Sequence, residues 1–428
     1  MSAPTLETIQ TPATPWYAEV TRYQWLVLAI ASAGWMFDAF EGQIFNLTRG
    51  DLLRELLGTV DSHRVKLWGD VIIAIFLLGG MIGGIGFGKL ADRYGRRPAM
   101  AVTILFYAIF SGLTYFATHI WQVAALRFFV ALGVGGEWAV GASLVAEVFP
   151  AKARARAGGI FHAISVPGTL LATAVGIIVA THWRYAYVIG ILPALLVFWV
   201  MASVREPERW KQAVAARKPM GSLRELFGTR TLARHAIFGL LLAAVGLGTF
   251  WGVVVAGQDL AHEMLLRTGH DPASADRAAK FAYGIVETCG MGIGLLAFGP
   301  LAEKLGRRGA FLLMHLAAVC VVPIVCYLPQ SYWQLLLLLP IFGFFTGGMH
   351  SGYAIYFPEL FPNDLRATGA GVCFNGGRLI AAPILFGSGL LKEHMDVRLA
   401  ITILSSLYLV GAFLLLFLPE TKNKPLPE

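Results

Sequence analysis

The sequence predicts an all-α membrane protein of twelve transmembrane helices, arranged as two pseudo-symmetric halves of six. Three observations carry this reading. Hydrophobic residues fill 57% of the 428 positions and charged residues only 14%, against about a quarter charged in ordinary soluble domains. Twelve stretches approach the roughly 20 apolar residues a helix needs to cross about 30 Å of hydrocarbon. Segments of the first half recur in the second at a nearly constant offset. In lipid the backbone amides must be satisfied within the spanning structure, so stretches of this length read as helices.

The first six spans centre near Trp35, Leu78, Phe106, Val134, Leu171 and Leu192, and the last six near Gly248, Gly290, Leu316, Phe344, Ala381 and Leu409. The first runs from Gln24 to about Leu47 and contains MFDAFEGQ, where Asp38 and Glu41 interrupt the apolar run. Thr48–Lys66 then reads as the long external loop of this half, with room for a short helix and no chemistry of its own. The second span carries Gly80, Gly84 and Gly88, and the tenth Gly343 and Gly347. Such i, i+4 stripes let helices approach closely. The fourth span, with GVGGEWAVG, does likewise. After the sixth, residues 205–234 carry eight Lys and Arg and the run REPERWKQ, which reads as an amphipathic connection at the membrane surface. The expected division is therefore 1–204 for the first half, 205–234 for the connection, and 235–428 for the second half with a short tail.

The repeat is specific. GKLADRYGRRP at Gly88–Pro98 is echoed 211 positions on by GPLAEKLGRRG at Gly299–Gly309. AEVFPAKAR at Ala146–Arg154 is echoed by PELFPNDLR at Pro358–Arg366, and WQ at Trp121 by WQ at Trp333, both at 212. The formal charge of +8 is a topology signal and not a nucleic-acid footprint. Segments on the side of the termini hold 22 of the 34 Lys and Arg, those opposite hold 10, and Arg127 and Arg378 fall inside spans. The positive-inside rule makes the termini cytoplasmic. The four cysteines show no CxxC spacing, so they read as packing and not as a zinc site or disulfide framework. No cleaved signal peptide is expected. No metal-ligand spacing, P-loop or nucleophile elbow appears, so an enzyme is not expected.

The motif Gly, short spacer, Asp-Arg-x-Gly-Arg-Arg stands in full as Gly88, Asp92, Arg93, Gly95, Arg96 and Arg97. On it, and over nearly its whole length, the chain resembles the major facilitator superfamily. The second copy departs, with Glu303 for Asp and Lys304 for Arg. The resemblance implies a major facilitator fold and a cytoplasmic gate. Asp92 would meet the positive end of a helix in the other half, and Arg93, Arg96 and Arg97 would reach carboxylates and lipid phosphates. Glu147 with Arg154, and Glu359 with Arg366, join the same expected networks. Within the superfamily, GWMFDAFE, RFFVALGVGGEWAVGASLVAE and FNGGRLIAAP resemble the metabolite, sialate and aromatic-acid proton symporters. The arginine-and-glycine pattern starting at Arg127 also occurs in proton-coupled sugar porters.

A charge at mid-membrane costs about 2.5 to 3.5 kcal/mol on insertion scales, so each is a functional candidate. Asp38, Glu41, Arg127, Glu137, Glu287 and Arg378 qualify. Counting from the span ends puts Glu41 and Arg127 each about 9 Å below the outer face, at one level. Desolvation disfavours an ionised Glu and a guanidinium favours it, so a carboxylate that changes between these surroundings binds and releases a proton. Glu41 paired with Arg127 fits that role, and a static ion pair is the alternative. Asp38 is either a second proton site or the partner of a polar neighbour, and Glu137 an inner proton station or a network partner. Arg378, about 18 Å into its helix, lies near the midplane, where its planar fork suits a carboxylate, with Asn375 one turn away. Its repeat counterpart is Val166 and that of Arg127 is Leu339, so these arginines do not belong to the repeated scaffold. Pairing with Glu287 or Glu137 is the alternative for Arg378. His162, His315 and His350, and aromatics such as Trp35, Trp138, Phe250, Trp251, Tyr353, Tyr356 and Phe374, read mainly as packing.

The resulting expectation is a proton-coupled symporter of the inner membrane, working by alternating access and importing a small organic anion such as a carboxylate. Proton coupling falls to Glu41, Asp38, Arg127 and Glu137, and substrate to Arg378, Asn375 and Arg127. The gate falls to the motif residues with Glu147, Arg154, Glu359 and Arg366. No metal or cofactor is expected beyond protons as the coupling ion, nor any partner beyond substrate and lipid, and a monomer is expected. A sugar or neutral-metabolite porter, a cation exporter and a non-transporting sensor are the alternatives.

Overall fold

The computed structural model describes residues 15–58, 61–179, 182–254 and 256–428. Every regular element among them is helical. Twelve passages, α1 to α12, follow in order. They are α1 (Arg22–Leu57), α2 (Ser62–Tyr94), α3 (Arg96–Leu113), α4 (Ile120–Val148), α5 (Ala151–Ala163 and Ser165–Val179) and α6 (Trp183–Ile189 and Ala194–Ser203). The second half has α7 (Arg230–Thr249, a π turn Phe250–Val254, and Ala256–Arg267) and α8 (Pro272–Phe281, a π turn Ala282–Glu287, and 288–305). It continues with α9 (307–327), α10 (Tyr332–Gly347 and Ser351–Glu359), α11 (Arg366–Phe374 and Arg378–His394) and α12 (Val397–Ser405 and Leu407–Leu414).

Ten helices among the described residues are long and apolar enough to cross a membrane. One of these runs Ser274–Tyr327 and counts as two, α8 and α9, because Gly306 breaks it at φ 82°. The first helix falls outside the ten because Asp38 and Glu41 lower the hydropathy of its apolar stretch, yet its 36 residues are more than a bilayer requires.

Two boundaries differ from the sequence expectation. The first helix does not end near Leu47. It continues through most of the expected loop to Leu57 and stops at Gly58, which takes the left-handed conformation (φ 60°). Leu52 and Leu53 are the reason: both are fully buried and pack with Ile72, Trp183 and Tyr187. Arg230 already begins α7, inside the expected connecting segment, with Thr229 as its N-cap. That connection forms two short helices, Glu208–Ala215 and Leu223–Leu226. It is also strapped to both halves. Trp210 Nε1 donates to Asp92 O (2.7 Å) and Gly221 N donates to Asp364 O (2.8 Å).

The halves meet along a two-fold-related seam. Within the first half α2 packs on α4, and across the seam on α11; within the second α8 packs on α10, and across it on α5. Backbone approach there depends on the absence of side chains. A Cβ added at Gly88 would stand 2.6 Å from Ala367 O, and one at Gly299 would stand 2.8 Å from Ala155 O. The glycine stripe of α2 is thus a contact between halves: Gly84 lies against Asn375 and Gly80 against Arg378. Gly343 and Gly347 of α10 instead pack on Met291 of α8, within one half.

The connection, the C-terminal tail and the turns after α2, α4, α8 and α10 share one face, here called the terminal face. Among the described residues, the inter-half hydrogen bonds and ion pairs gather toward that face, the highest being Asn375 Nδ2 to Gly135 O (3.0 Å). The molecule is therefore closed on the terminal face.

Candidate functional site

On the terminal face each half builds the same lock from its copy of the Gly-Arg-Arg motif. Gly95 (φ 108°) and Gly306 (φ 82°) turn the chain where a Cβ would be strained. The next residue, Arg96 or Arg307, grips a carboxylate with two parallel bonds. Arg96 holds Glu147 at 2.7 and 3.1 Å, and Arg307 holds Glu359 at 2.8 and 2.9 Å. The remaining Nη1 of each donates to a carbonyl at the end of the preceding helix, Ala91 or Ala302. Glu206 accepts from the backbone N–H groups of Arg96 and Arg97, and Glu420 from those of Arg307 and Arg308, so each caps the helix it faces.

The two locks are cross-linked. Arg366 donates to Glu147 across the seam (2.9 Å), and Arg154 faces Glu359 at 3.8 Å. This corrects the within-half association of Glu147 with Arg154 and of Glu359 with Arg366. Each arginine bonds its own helix-end carbonyl, Ala146 O or Pro358 O, through Nε and turns Nη1 to a carboxylate of the opposite half, Arg366 also donating to Asn363 Oδ1 and Pro427 O in its own half. Asp92, with no exposed surface, accepts from Ala367 N (3.1 Å), Thr368 N (2.8 Å) and Thr368 Oγ1 (2.6 Å), capping the start of α11 in the other half. Arg156 and Glu303 add a further link at 2.8 Å. Arg93 and Arg97 depart from the expectation of carboxylate partners. Arg93 is exposed over the ring of Tyr94, and the Arg97 side chain donates to Met201 O.

At mid-span lies a second constellation with no two-fold copy. Glu41 and Arg127 meet, the guanidinium donating to Glu41 O (2.8 Å) and facing its Oε2 at 3.5 Å. Arg127 also packs over Phe76 and Phe45, and its Nε and Nη1 have no hydrogen-bond partner among the described residues. Ser111 donates toward both Glu41 oxygens, at 2.8 and 2.9 Å, and Thr103 donates to Glu137 Oε2 (2.8 Å). Asp38 is 1% exposed, and neither of its oxygens has a hydrogen-bond partner. Its charged neighbours are Glu137, Glu41 and Arg378. Glu137 Oε1, the Tyr107 hydroxyl, Asn375 Oδ1 and Arg378 Nη1 are also enclosed without partners. Arg378 itself is only partly buried and forms an ion pair with neither Glu287 nor Glu137; Asp38 is the carboxylate that its charge faces. Leaving such groups unpaired costs roughly 1 to 3 kcal/mol each, so an arrangement that concentrates them is built to be completed by something else.

One turn from Arg378 toward the terminal face, Phe374 stacks on Trp138 across the seam, with centroids 3.9 Å apart, and Trp138 Nε1 donates to His162 Nδ1 (3.3 Å). These rings form a floor between the cluster and the locks. His350 touches Gly347 O and Gly246 O.

Sequence reasoning missed several of these groups. Arg307, Glu206 and Glu420 complete the locks, Thr103 and Ser111 donate to the carboxylates, and Tyr107 lies on the same helix face with its hydroxyl unpartnered. The second set had a signal: polar residues at every fourth position of an apolar helix form one face. Arg307 had one as well, since it occupies the Arg96 position of the repeat.

A twelve-helix bundle closed on one face by paired locks, with an unpaired charge cluster at the seam between its halves, defines a membrane transporter. The chain belongs to the Major Facilitator Superfamily, whose sequence model matches residues 14–269 and 276–428. It is a multi-pass membrane protein and not an enzyme. A relative described as a probable 4-methylmuconolactone transporter, from Cupriavidus pinatubonensis, is 28% identical over 95% of this chain and 93% of its own length. The cis,cis-muconate transport protein of Acinetobacter baylyi is 28% identical over 83% of this chain and 86% of its own. Among solved structures, the proton:xylose symporter XylE bound to a bromo-deoxyglucose superimposes with a TM-score of 0.75, covering 94% of this chain and 98% of that one. At 18% identity that likeness concerns the fold alone.

Proposed function

We propose that the protein is a proton-coupled symporter that imports a small organic anion by alternating access. The observation that carries this reading is the mid-span cluster. Arg378, whose charge faces the partnerless carboxylate of Asp38, presents an uncommitted guanidinium nitrogen, and Asn375, one turn away, an uncommitted amide oxygen. A guanidinium fork matches a carboxylate. While Asp38 is ionised it competes for Arg378; once protonated it leaves the fork to the incoming anion, so proton and substrate load together. This assigns the coupling proton to Asp38, with Glu41, Arg127 and Glu137 as the supporting network. Relatives described as carriers of muconate and of a muconolactone support an organic-acid substrate. A guanidinium can also donate to sugar hydroxyls, but its charge and planar fork are better matched by a carboxylate, so Arg378 favours an anion over a sugar.

We place the terminal face in the cytoplasm of a bacterial inner membrane, on the excess of 22 Lys and Arg over 10. On that orientation the structure is closed inward, and substrate reaches the cluster from outside. Release requires the Asp92 cap, the Glu147–Arg366 and Arg154–Glu359 pairs and the Trp138–Phe374 floor to part.

The test is uptake of labelled monocarboxylates, aromatic acids, sialate and sugars into proteoliposomes, with and without an inward proton gradient. Accumulation of at least one carboxylate that collapses without the gradient is the expected result. Accumulation of sugars and of no carboxylate overturns the reading.

A further inference from the structure

Away from the Arg378 cluster and the locks, the second half buries Glu287 in the span α8. It is 1% exposed and neither oxygen has a hydrogen-bond partner. It ends the π turn Ala282–Glu287 of α8, and the other π turn, Phe250–Val254 of α7, stops three residues before Gly257. Glu287 Oε2 lies against Gly257, and its Cγ against Gly343 of α10, so two glycines hollow out the space that it occupies. Its counterparts at the two repeat offsets are Ile75 and Phe76, which sets it outside the repeated scaffold.

Among the described residues, the surroundings offer no counter-charge. On its own helix the ionisable group that feels Glu287 is Tyr283, and from α12 it is Tyr408. Between Tyr332 and His350, α10 has no ionisable residue. The ionisable residue of α7 nearest Gly257 in sequence is Asp259, already held by Lys392 at 2.9 Å. The backbone at the π turn is better served: Thr288 Oγ1 donates to Tyr283 O (2.9 Å). The unsatisfied element is therefore the carboxyl alone. An ionised group so placed has neither solvent nor partner, and a carboxylic acid is the form this pocket accommodates.

A π turn holds one residue more than the α-helix it interrupts, and π turns recur at functional sites. Converting it to α-helix rotates the residues on one side by about 100° relative to the other. Such a change in α8 would swing Glu287 out of the Gly257–Gly343 recess, giving it two environments of different polarity. We propose that Glu287 is a second proton-binding site, which takes up and releases a proton in the transport cycle as the π turns of α7 and α8 change shape. This rests on the symport reading and adds to it a proton that does not pass through Asp38.

The experiment measures protons moved per substrate in proteoliposomes, from the substrate gradient that balances a fixed pH gradient, for wild type, Glu287→Gln and Glu287→Asp. Homoexchange of labelled substrate, which moves no net proton, serves as the control for folding and binding. The expected result is one proton fewer per substrate for Glu287→Gln, near-normal exchange, and the wild-type ratio retained by Glu287→Asp. An unchanged ratio in Glu287→Gln overturns the inference while leaving the symport reading intact. A wild type that couples no protons overturns both. Should Glu287→Gln fail to fold, Glu287→Leu replaces it, since it removes the polar group from apolar surroundings, and the same two outcomes decide.

Discussion

The terminal-face locks and the mid-span cluster are both made of charged side chains buried in a membrane protein, and they differ in two ways. The locks occur twice, related by the repeat, and their central groups are paired: Arg96, Arg307, Glu147 and Glu359 all sit in bidentate pairs. The cluster occurs once, its arginines replaced at the repeat positions by Leu339 and Val166, and it leaves Asp38, Glu137 Oε1, Arg378 Nη1 and Asn375 Oδ1 unpaired. The difference teaches a division of labour. Mechanics that both halves must perform are written in both, with polar groups satisfied so that the closed state is held. Chemistry done once per cycle is written once, with polar groups left open for a substrate and a proton.

The contrast can be broken most severely at Arg378. Replacing it with Gln should lower carboxylate uptake by about 100-fold, the effect of losing a charge-assisted bond worth ~3 kcal/mol. Labelled uptake in proteoliposomes measures it, and a variant within a few-fold of wild type would remove Arg378 from recognition. Next comes Asp38→Asn, which is expected to abolish gradient-driven accumulation while exchange of internal for external substrate continues. Accumulation that still follows the pH gradient would shift the coupling role to Glu41.

Smaller changes are expected at the locks, because several links share the load. Asp92→Asn weakens the cap on α11, and a charge at a helix N-terminus contributes roughly 0.3 to 2 kcal/mol. A cysteine placed at Ala139, buried between α4 and α11 against Gly371, should then react with a thiol reagent up to about tenfold faster. An unaltered labelling rate would show that Asp92 does not hold the closed state. Smallest of all, Arg93→Ala should change uptake by less than about twofold, since surface charges away from specific partners contribute little. A large loss there would mean that the exposed Arg93 has a partner in another state.

The architecture was legible because it is written twice. An offset of 211 or 212 located the two copies of the lock motif, i, i+4 spacing located the stripe Gly80, Gly84 and Gly88, and apolar length located the spans. The pairings were less legible. Offsets relate Arg154 to Arg366 and Glu147 to Glu359, but say nothing about which bonds cross the seam, and the structure exchanges the partners. The sequence places Thr48–Leu57 in an external loop with room for a short helix, because charges at Arg49, Asp51, Arg54 and Glu55 hide the apolar face of Leu52 and Leu53 that extends α1. In the cluster, Glu41 and Arg127 met as their shared depth suggested, while the position of Asp38 opposite Arg378 depends on how two halves dock and has no signature in either helix.

The central claim is that anion and proton load at one cluster, and the most direct measurement is the external pH of a weakly buffered suspension of proteoliposomes when a transported carboxylate is added. The account predicts that the medium turns alkaline as substrate enters, and that both the pH change and the uptake vanish together in Arg378→Gln. Carboxylate entry with no movement of protons would contradict it.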